Sequence, residues 1–241
     1  MYDNIIIQYS AVKYILIQRT ELKKKYRLLD KIWRNLRIPY HHLSSVEALL
    51  RRNSIKQGFN ELIAAEYEII KSYLPRNIKN VLDIGCGIAG IDIAMFQHYN
   101  MDLNIKFFLL DKSELNDNSN IRYEFANQAT FYNSLSESQI MMANNGIRDE
   151  NIYLLNATDD YEININNEKI DLVISLKAWG FHFPVDTYLN RVHKIMNIGG
   201  TLIIDVRKNT EGERALKQKF DIIELIMEME KHNRWVLTKT R

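Results

Sequence analysis

From about residue 78 the chain alternates between short apolar runs rich in β-branched residues and longer runs with helical spacing of apolar positions. The short runs that predict strands are NVLDIG, IKFFLL followed by Asp111, NIYLLN, IDLVISL and GGTLIIDV. The runs that predict helices are AGIDIAMFQHY, FYNSLSESQIMMANNG and VDTYLNRVHKIMN. Strands that are apolar on both faces and are joined by helices are typical of parallel sheets, so the pattern predicts an α/β fold.

The two ends of the chain carry different patterns. At the C-terminus FDIIELIMEM, the turn EKHN and the run RWVLTK predict an antiparallel hairpin. Towards the N-terminus no glycine precedes Gly58, helical spacing recurs in LLDKIWRNL, SVEALLRR and ELIAAEYEIIKSYL, and Pro75 ends the last helix. We therefore predict a helical N-terminal cap at residues 1–75 and an α/β domain at residues 76–241.

Composition narrows the class of protein. The 241 residues are 46% hydrophobic and 26% charged, as in ordinary folded proteins. The single cysteine, Cys86, excludes an intramolecular disulfide and a multi-thiolate zinc site, and it favours a reducing, cytoplasmic location. Gln8 and Lys13 interrupt the N-terminal apolar run, and no apolar run reaches the roughly 18 residues of a membrane span, so we expect neither a signal peptide nor a span.

Charge is distributed unevenly along the chain. The formal net charge is only +2, but the stretch from Arg19 to Arg37 contains eight basic residues and only Glu21 and Asp30 as acidic ones, a local charge of +6. We interpret this stretch as a solvated helix face, and the alternative is a surface that attracts a phosphate-rich acceptor or RNA. The sequence thus leaves RNA open as a partner.

Three glycines, Gly85, Gly87 and Gly90, follow the first predicted strand in the string VLDIGCGIAG. A turn of this type lets the backbone approach a nucleotide ligand, and both NAD and S-adenosylmethionine (SAM) bind at such turns. Asp111 lies 21 residues past Gly90 and suits the ribose of either cofactor. Asp83 favours SAM, because a buried carboxylate requires a donor or a cation, and SAM carries an ammonium group at this end whereas NAD carries none.

The string VLDIGCGIAG resembles motif I of the class I SAM-dependent methyltransferases, and the resemblance continues through most of residues 60–241. It implies SAM as the cofactor and a Rossmann-like, seven-stranded, mostly parallel sheet with a C-terminal antiparallel hairpin and helices on both faces. The residues it implies for SAM are Asp83, Gly85, Gly87 and Gly90 in the motif, Asp111 at the ribose and Asp159 near the adenine amino group. Asp160 is the alternative to Asp159, and close helix packing is the alternative role of Gly90.

The acceptor is expected over the carboxyl ends of the strands, where the segment SLKAWGFHFP follows the fourth strand. Its aromatic residues Trp179 and Phe181 predict a wall for the acceptor. His182 is the predicted general base, because an imidazole with a pKa near 6.5 accepts a hydroxyl proton at neutral pH, and packing is its alternative role. Arg207, at the end of the fifth strand, is a candidate to bind an acceptor phosphate or carboxylate, and a solvated loop charge is its alternative role.

The N-terminal segment PYHHLSS adds Tyr40 and His41 to the predicted acceptor site, because the resemblance implies that this part of the chain folds over the acceptor as a lid. His41 and His42 are adjacent without a third ligand at metal spacing, so no metal site is predicted.

The predicted activity is SAM-dependent methylation of an oxygen on a small acceptor, including acceptors that carry a sugar or a phosphate. The chain lacks the Asn/Asp-Pro-Pro-aromatic signature of many amino-methylating relatives, which argues against DNA as the partner. The alternatives are methylation of an RNA base or ribose and a non-catalytic SAM-binding protein.

Overall fold

The computed structural model describes residues 3–22, 40–112 and 133–241, with residues 40–45 described by their backbone. The helices in these ranges are α1 (Val12–Gln18), α2 (Tyr40–Ile70), α3 (Gly90–His98), α4 (Leu135–Asn144), α5 (Asp186–Ile195) and α6 (Gly212–Lys219). The strands are β1 (Asn80–Ile84), β2 (Lys106–Asp111), β3 (Ile152–Asn156), β4 (Ile170–Ser175), β5 (Ala178–Phe183), β6 (Met196–Arg207), β7 (Ile222–Glu228) and β8 (His232–Thr238).

Seven of these strands form one sheet in the order β3-β2-β1-β4-β6-β8-β7. The pairs from β3 to β6 are parallel, and β8 runs antiparallel to both β6 and β7. The mostly parallel seven-stranded sheet with a C-terminal hairpin is therefore confirmed. The segment after β4 forms the short strand β5, which lies outside this sheet order.

Alternate residues of the central strands face two separate hydrophobic cores. In β1, Val81 belongs to the core that contains residues of α1 to α4, whereas Leu82 belongs to the core that contains residues of α5 and α6. Successive side chains of a strand point to opposite faces, so the unbroken apolar runs of the sequence correspond to strands covered on both sides. The predicted placement of helices on both faces is confirmed.

The described N-terminal residues pack on the first of these cores. Ile15 and Leu16 of α1 are fully buried, and Phe59 and Ile63 of α2 join them. Helix α2 is kinked at Arg51, which has non-helical backbone angles. The role of residues 1–75 as a lid stays a prediction. Of the eight basic residues between Arg19 and Arg37, only Arg19 lies within the described residues.

Among the helices in the described ranges, none is both long enough and apolar enough to pass through a membrane.

Candidate functional site

The glycine turn between β1 and α3 is built around a close approach at Gly85. Its N–H donates a hydrogen bond to the Leu110 carbonyl at 2.7 Å, and its φ is +79°. A Cβ at this position would lie 2.2 Å from the Ala178 Cβ, so the turn requires glycine for conformation and for space. The turn thereby connects β1 to the end of β2 and to the segment after β4.

Gly90 begins α3 and contacts α2. A Cβ added there would lie 2.6 Å from Cζ of Phe59 and 2.9 Å from Cδ1 of Ile63. These contacts correspond to the close helix packing that the sequence leaves open for this residue. These contacts favour a packing role for Gly90, and the part of Gly85, Gly87 and Gly90 in SAM binding stays a prediction.

Three buried carboxyl groups surround this turn: Asp83 in β1, Asp92 in the first turn of α3, and Asp111 at the end of β2. Burial raises the pKa of Asp92 and of Asp111 to about 7, and it raises the pKa of Asp83 well above its usual range, with the Asp92 carboxyl as a further cause. Three buried acids so close together favour a cationic ligand.

Asp92 is the member of this group that the sequence analysis missed. Its side chain is fully buried, and apart from the Asp83 carboxyl its two oxygens have no hydrogen-bond partner among the described residues. The available signal was a carboxylate inside the apolar string GIDIAMF, since helix positions between apolar neighbours on a buried face rarely hold an unpaired acid.

Asp111 is held by hydrogen bonds to the turn. Its Oδ2 accepts from the Gly87 N–H at 2.8 Å and from Asn133 Nδ2 at 3.0 Å, and its Oδ1 accepts from the Lys112 N–H at 2.8 Å. Asn133 also donates to the Gly87 carbonyl at 2.5 Å. Asn133, which the sequence analysis did not single out, therefore connects the start of α4 to the predicted ribose carboxylate.

Cys86 lies inside the same turn, and its thiol is expected to be unreactive. Its side chain is buried, and burial together with the charges of Asp111, Asp83 and Asp92 raises the pKa of its thiol well above the usual range. The thiol therefore stays protonated, which agrees with its interpretation as a small packing residue.

The two alternatives for the adenine contact differ in their surroundings. Asp160 accepts hydrogen bonds from the Thr158 hydroxyl and the Glu162 N–H, which close a local turn and lower its pKa. The Asp159 side chain is 96% exposed and lies 3.8 Å from Nζ of Lys112, next to the predicted ribose carboxylate. Asp159 is thus the one of the two with open hydrogen-bonding capacity.

Trp179 lies in the core and not on the acceptor side. Its side chain is fully buried, its Nε1 donates to the Val185 carbonyl at 2.8 Å, and its ring packs edge-on against Tyr188. A side chain with no exposed surface and a satisfied N–H does not form an open wall, so we leave Trp179 out of the acceptor site.

Phe181, His182 and Arg207 are brought together on β5 and at the end of β6. The guanidinium of Arg207 lies 4.7 Å from the centroid of the Phe181 ring, and its Nε donates to the Phe181 carbonyl at 2.8 Å. The His182 ring packs edge-on against Phe181. Burial and the nearby Arg207 charge lower the pKa of His182 to about 4, so this imidazole is neutral at pH 7.

A buried ion-pair network connects the same region to α2. Arg234 in β8 is paired with Asp205 in β6 and, at 2.5 Å, with Oε2 of Glu66 in α2. Lys177, in the turn after β4, reaches Oε1 of Glu66 at 3.3 Å. The network holds the carboxyl end of β6, the turn after β4 and α2 in one arrangement.

Tyr40 and His41 begin helix α2, and their side chains lie outside the described residues. Within the described ranges, no group of three or more His, Cys, Asp or Glu side chains is arranged to hold a metal ion.

Two solved structures resembling this chain are methyltransferases. One is the T. thermophilus 16S rRNA N2 G1207 methyltransferase in complex with AdoMet and guanosine, at 12% identity and a TM-score of 0.50 over 74% of this chain and 42% of that chain. The other is a methyltransferase from Pyrococcus furiosus, at 12% identity and a TM-score of 0.51 over 74% of this chain and 83% of that chain. The match thus spans less than half of the T. thermophilus chain.

No family model and no curated protein matches the sequence. At this identity the similarity defines the fold, and the strand order and the antiparallel β8 agree with it. The chain has the Rossmann-like fold of the class I SAM-dependent methyltransferases, as its glycine motif predicts.

Proposed function

We propose that this chain is a SAM-dependent methyltransferase that acts on an oxygen of a small acceptor. The observation that carries the proposal is the set of three buried carboxyl groups, Asp83, Asp92 and Asp111, around the glycine turn. A ligand that brings positive charge to this turn relieves their repulsion. The pyrophosphate of NAD would add negative charge there, which disfavours NAD as the ligand.

The residues present fit SAM, because the buried and unpartnered Asp92 carboxyl and its neighbour Asp83 match a cationic group at the amino-acid end of the cofactor. Gly85 and Gly87 allow the backbone to approach it. Asp111 would accept from the ribose hydroxyls, and Asp159 from the adenine amino group. When bound, SAM supplies a methyl group activated by its sulfonium.

The acceptor side is formed by Phe181, Arg207 and His182. The half-buried Phe181 ring offers an apolar surface, and the guanidinium of Arg207 stacked on it offers charge-assisted hydrogen bonds to a phosphate or carboxylate. A single planar cation beside one aromatic ring suits a small anionic acceptor. This supports the sugar- or phosphate-bearing acceptor that the sequence predicts.

His182 contributes less as a base than its position predicts. With its pKa lowered to about 4, the neutral ring accepts a hydrogen bond from an acceptor hydroxyl and is a weak proton acceptor. Base catalysis typically contributes 10²–10⁴-fold, whereas holding two reactants in line contributes roughly 7–11 kcal/mol. We therefore infer that orientation by Phe181 and Arg207 accounts for most of the rate and that His182 orients the hydroxyl.

The experiment is a binding and transfer assay on the purified chain. Calorimetry compares SAM with NAD, and SAM labelled in its methyl group is then incubated with phosphorylated sugars, nucleotide sugars and RNA at low and high salt. We expect SAM binding, label transfer to a phosphorylated small molecule, and loss of SAM binding in Asp83→Asn but not in the surface variant Asp149→Asn.

Each alternative has its own outcome in this assay. NAD binding without SAM binding would overturn the proposal. Transfer to RNA with a steep salt dependence would replace the small acceptor by a nucleic acid. SAM binding without transfer to any acceptor class would favour a non-catalytic SAM-binding protein.

A further inference from the structure

Asp83 and Asp92 lie on opposite sides of the glycine turn, one in β1 and the other in the first turn of α3, and the Asp92 carboxyl is close enough to that of Asp83 to raise its pKa. Neither oxygen of Asp92 accepts a hydrogen bond from a donor among the described residues. Both side chains are more than nine-tenths buried. Two buried carboxylates this close together cannot both remain ionised at low cost, so we expect the pair to hold one proton in the ligand-free protein.

The surroundings of this carboxyl pair contain little positive charge. The groups that face it are Asp111 of β2, Cys86 of the glycine turn and Arg19, which directly follows α1. Asp111 adds to the negative potential, and the Cys86 thiol is neutral. Arg19 lies 4.0 Å from Oε1 of Glu66, so its charge is shared with a second carboxylate. The pair is therefore built for a cation that the described residues do not supply.

We propose that Asp92 is a second carboxylate ligand for the cationic end of SAM and that the Asp83/Asp92 pair gives up its shared proton when SAM binds. The inference rests on the proposed binding of SAM. It adds Asp92 to the residues that contact SAM, and it adds the release of one proton to the binding reaction. Before binding, the pair carries one proton and a charge of −1. On binding, that proton passes to solvent, the pair carries −2, and the ammonium group of SAM takes the place of the proton. No covalent bond to carbon forms or breaks.

Release of one proton makes SAM affinity depend on pH in a defined direction. Affinity rises as pH rises, by up to tenfold per pH unit, until the pair is ionised in the free protein. The comparison is made at or below about pH 7.5, because an α-amino group such as that of SAM has a pKa of roughly 7.7–8.0 and loses its own charge above that range.

The test is titration calorimetry of SAM into the full chain at pH 6.5, in phosphate and in imidazole buffer, which differ in ionisation enthalpy. We expect the two observed enthalpies to differ by an amount that corresponds to about one proton released per SAM bound. Binding of SAM with equal enthalpies in the two buffers overturns this inference and leaves the proposed function standing. Failure of SAM to bind at any pH overturns both.

A variant of Asp92 tests whether the released proton comes from the Asp83/Asp92 pair. Asp92→Asn keeps the shape of the side chain and removes one of the two ionisable groups, so SAM should bind at least tenfold more weakly at pH 7.5 and release fewer protons than it does from wild type. Asp149→Asn, an exposed aspartate remote from the turn, should retain the wild-type affinity and proton release. Wild-type affinity and proton release in Asp92→Asn would overturn the role of Asp92 as a ligand. If that variant does not fold, the calorimetry on wild type alone tests whether SAM binding releases a proton.

Discussion

The guanidinium group of Arg234 donates two parallel hydrogen bonds to the carboxylate of Asp205, with Nε at 2.7 Å from Oδ1 and Nη2 at 2.8 Å from Oδ2. Neither residue is exposed to solvent, and the two are opposite each other in the antiparallel ladder of β6 and β8. Glu66 of α2 completes the pairing on the remaining nitrogen. Buried ion pairs therefore connect the C-terminal hairpin to α2.

Arg234→Met should destabilise the fold by about 3–5 kcal/mol, because it removes the only guanidinium paired with the fully buried Asp205 carboxylate and leaves Glu66 with Lys177 and Arg19 alone among the described residues. Urea unfolding followed by circular dichroism measures the loss. Lys71→Met is the matched control, since Lys71 pairs with Glu68 on the surface and exposed pairs contribute at most about 1 kcal/mol. Similar losses in the two variants would contradict the structural role of the buried pair.

Gly85→Ala and Gly199→Ala separate conformational strain from steric contact. Both glycines have φ near +80°, at +79° and +81°, so each alanine costs roughly 1–2 kcal/mol of backbone strain. Only the Cβ at Gly85 meets another atom, Cβ of Ala178 at 2.2 Å, whereas the Cβ at Gly199 meets nothing within 4 Å.

We expect Gly85→Ala to lose a further 1–3 kcal/mol or so by overpacking and to weaken SAM binding, and Gly199→Ala to bind SAM normally. Unfolding curves and calorimetry with SAM compare the two. Equal stability loss and equal SAM affinity would show that the contact with Ala178 has no consequence for the turn.

The strands were predictable because their signal is local. The run NVLDIG coincides with β1 at Asn80–Ile84, and IDLVISL with β4 at Ile170–Ser175, since a strand buried on both faces is apolar without interruption. The glycine turn was also predictable, because the positive φ and the short distance to Ala178 allow only glycine at position 85.

The interactions between distant residues were not predictable in this way. The side chains of Asp205 and Arg234 meet between β6 and β8, which are separated along the chain by α6 and β7, and Asp92 faces Asp83 across the glycine turn. Neither contact follows from the periodicity of one segment. Trp179 and Phe181 are two residues apart in β5, a spacing that places both on one face of a regular strand, and only the packed structure shows that Trp179 is fully buried whereas Phe181 is half-buried.

Arg207→Lys should weaken binding of an anionic acceptor while SAM affinity stays unchanged. Lysine keeps the charge but loses the planar group that stacks on Phe181 and the bidentate geometry suited to phosphate. Steady-state kinetics with the acceptor found in the transfer assay should show a KM about tenfold higher or more and a smaller change in kcat. An unchanged KM would place the acceptor anion elsewhere.

His182 should make folding stability depend on pH in mildly acidic solution. Burial and the Arg207 charge lower its pKa in the folded state from 6.5 to about 4, so the unfolded chain binds more protons between these values. The contribution of His182 is therefore fully present above pH 6.5 and is lost as pH falls towards 4, by roughly 2–3 kcal/mol in total. Unfolding of wild type and His182→Gln between pH 4 and pH 8 isolates it, and a stability difference that does not change with pH would contradict the buried neutral ring.

Asp92→Asn should stabilise the ligand-free protein at alkaline pH and have little effect in acid. The pKa of Asp92 is raised by burial from 3.8 to about 7 in the folded state, so the folded protein binds more protons than the unfolded chain between these values. Wild type therefore loses stability as pH rises from about 4 to about 7, whereas an asparagine has no proton to lose, and the variant should exceed wild type by roughly 2–4 kcal/mol at pH 8. Urea unfolding of both proteins at pH 4 and pH 8 measures the gap, with Asp149→Asn as the control. A variant less stable than wild type at both pH values would mean that the Asp92 carboxylate is stabilised by its surroundings, which is the opposite of the arrangement around the glycine turn described above.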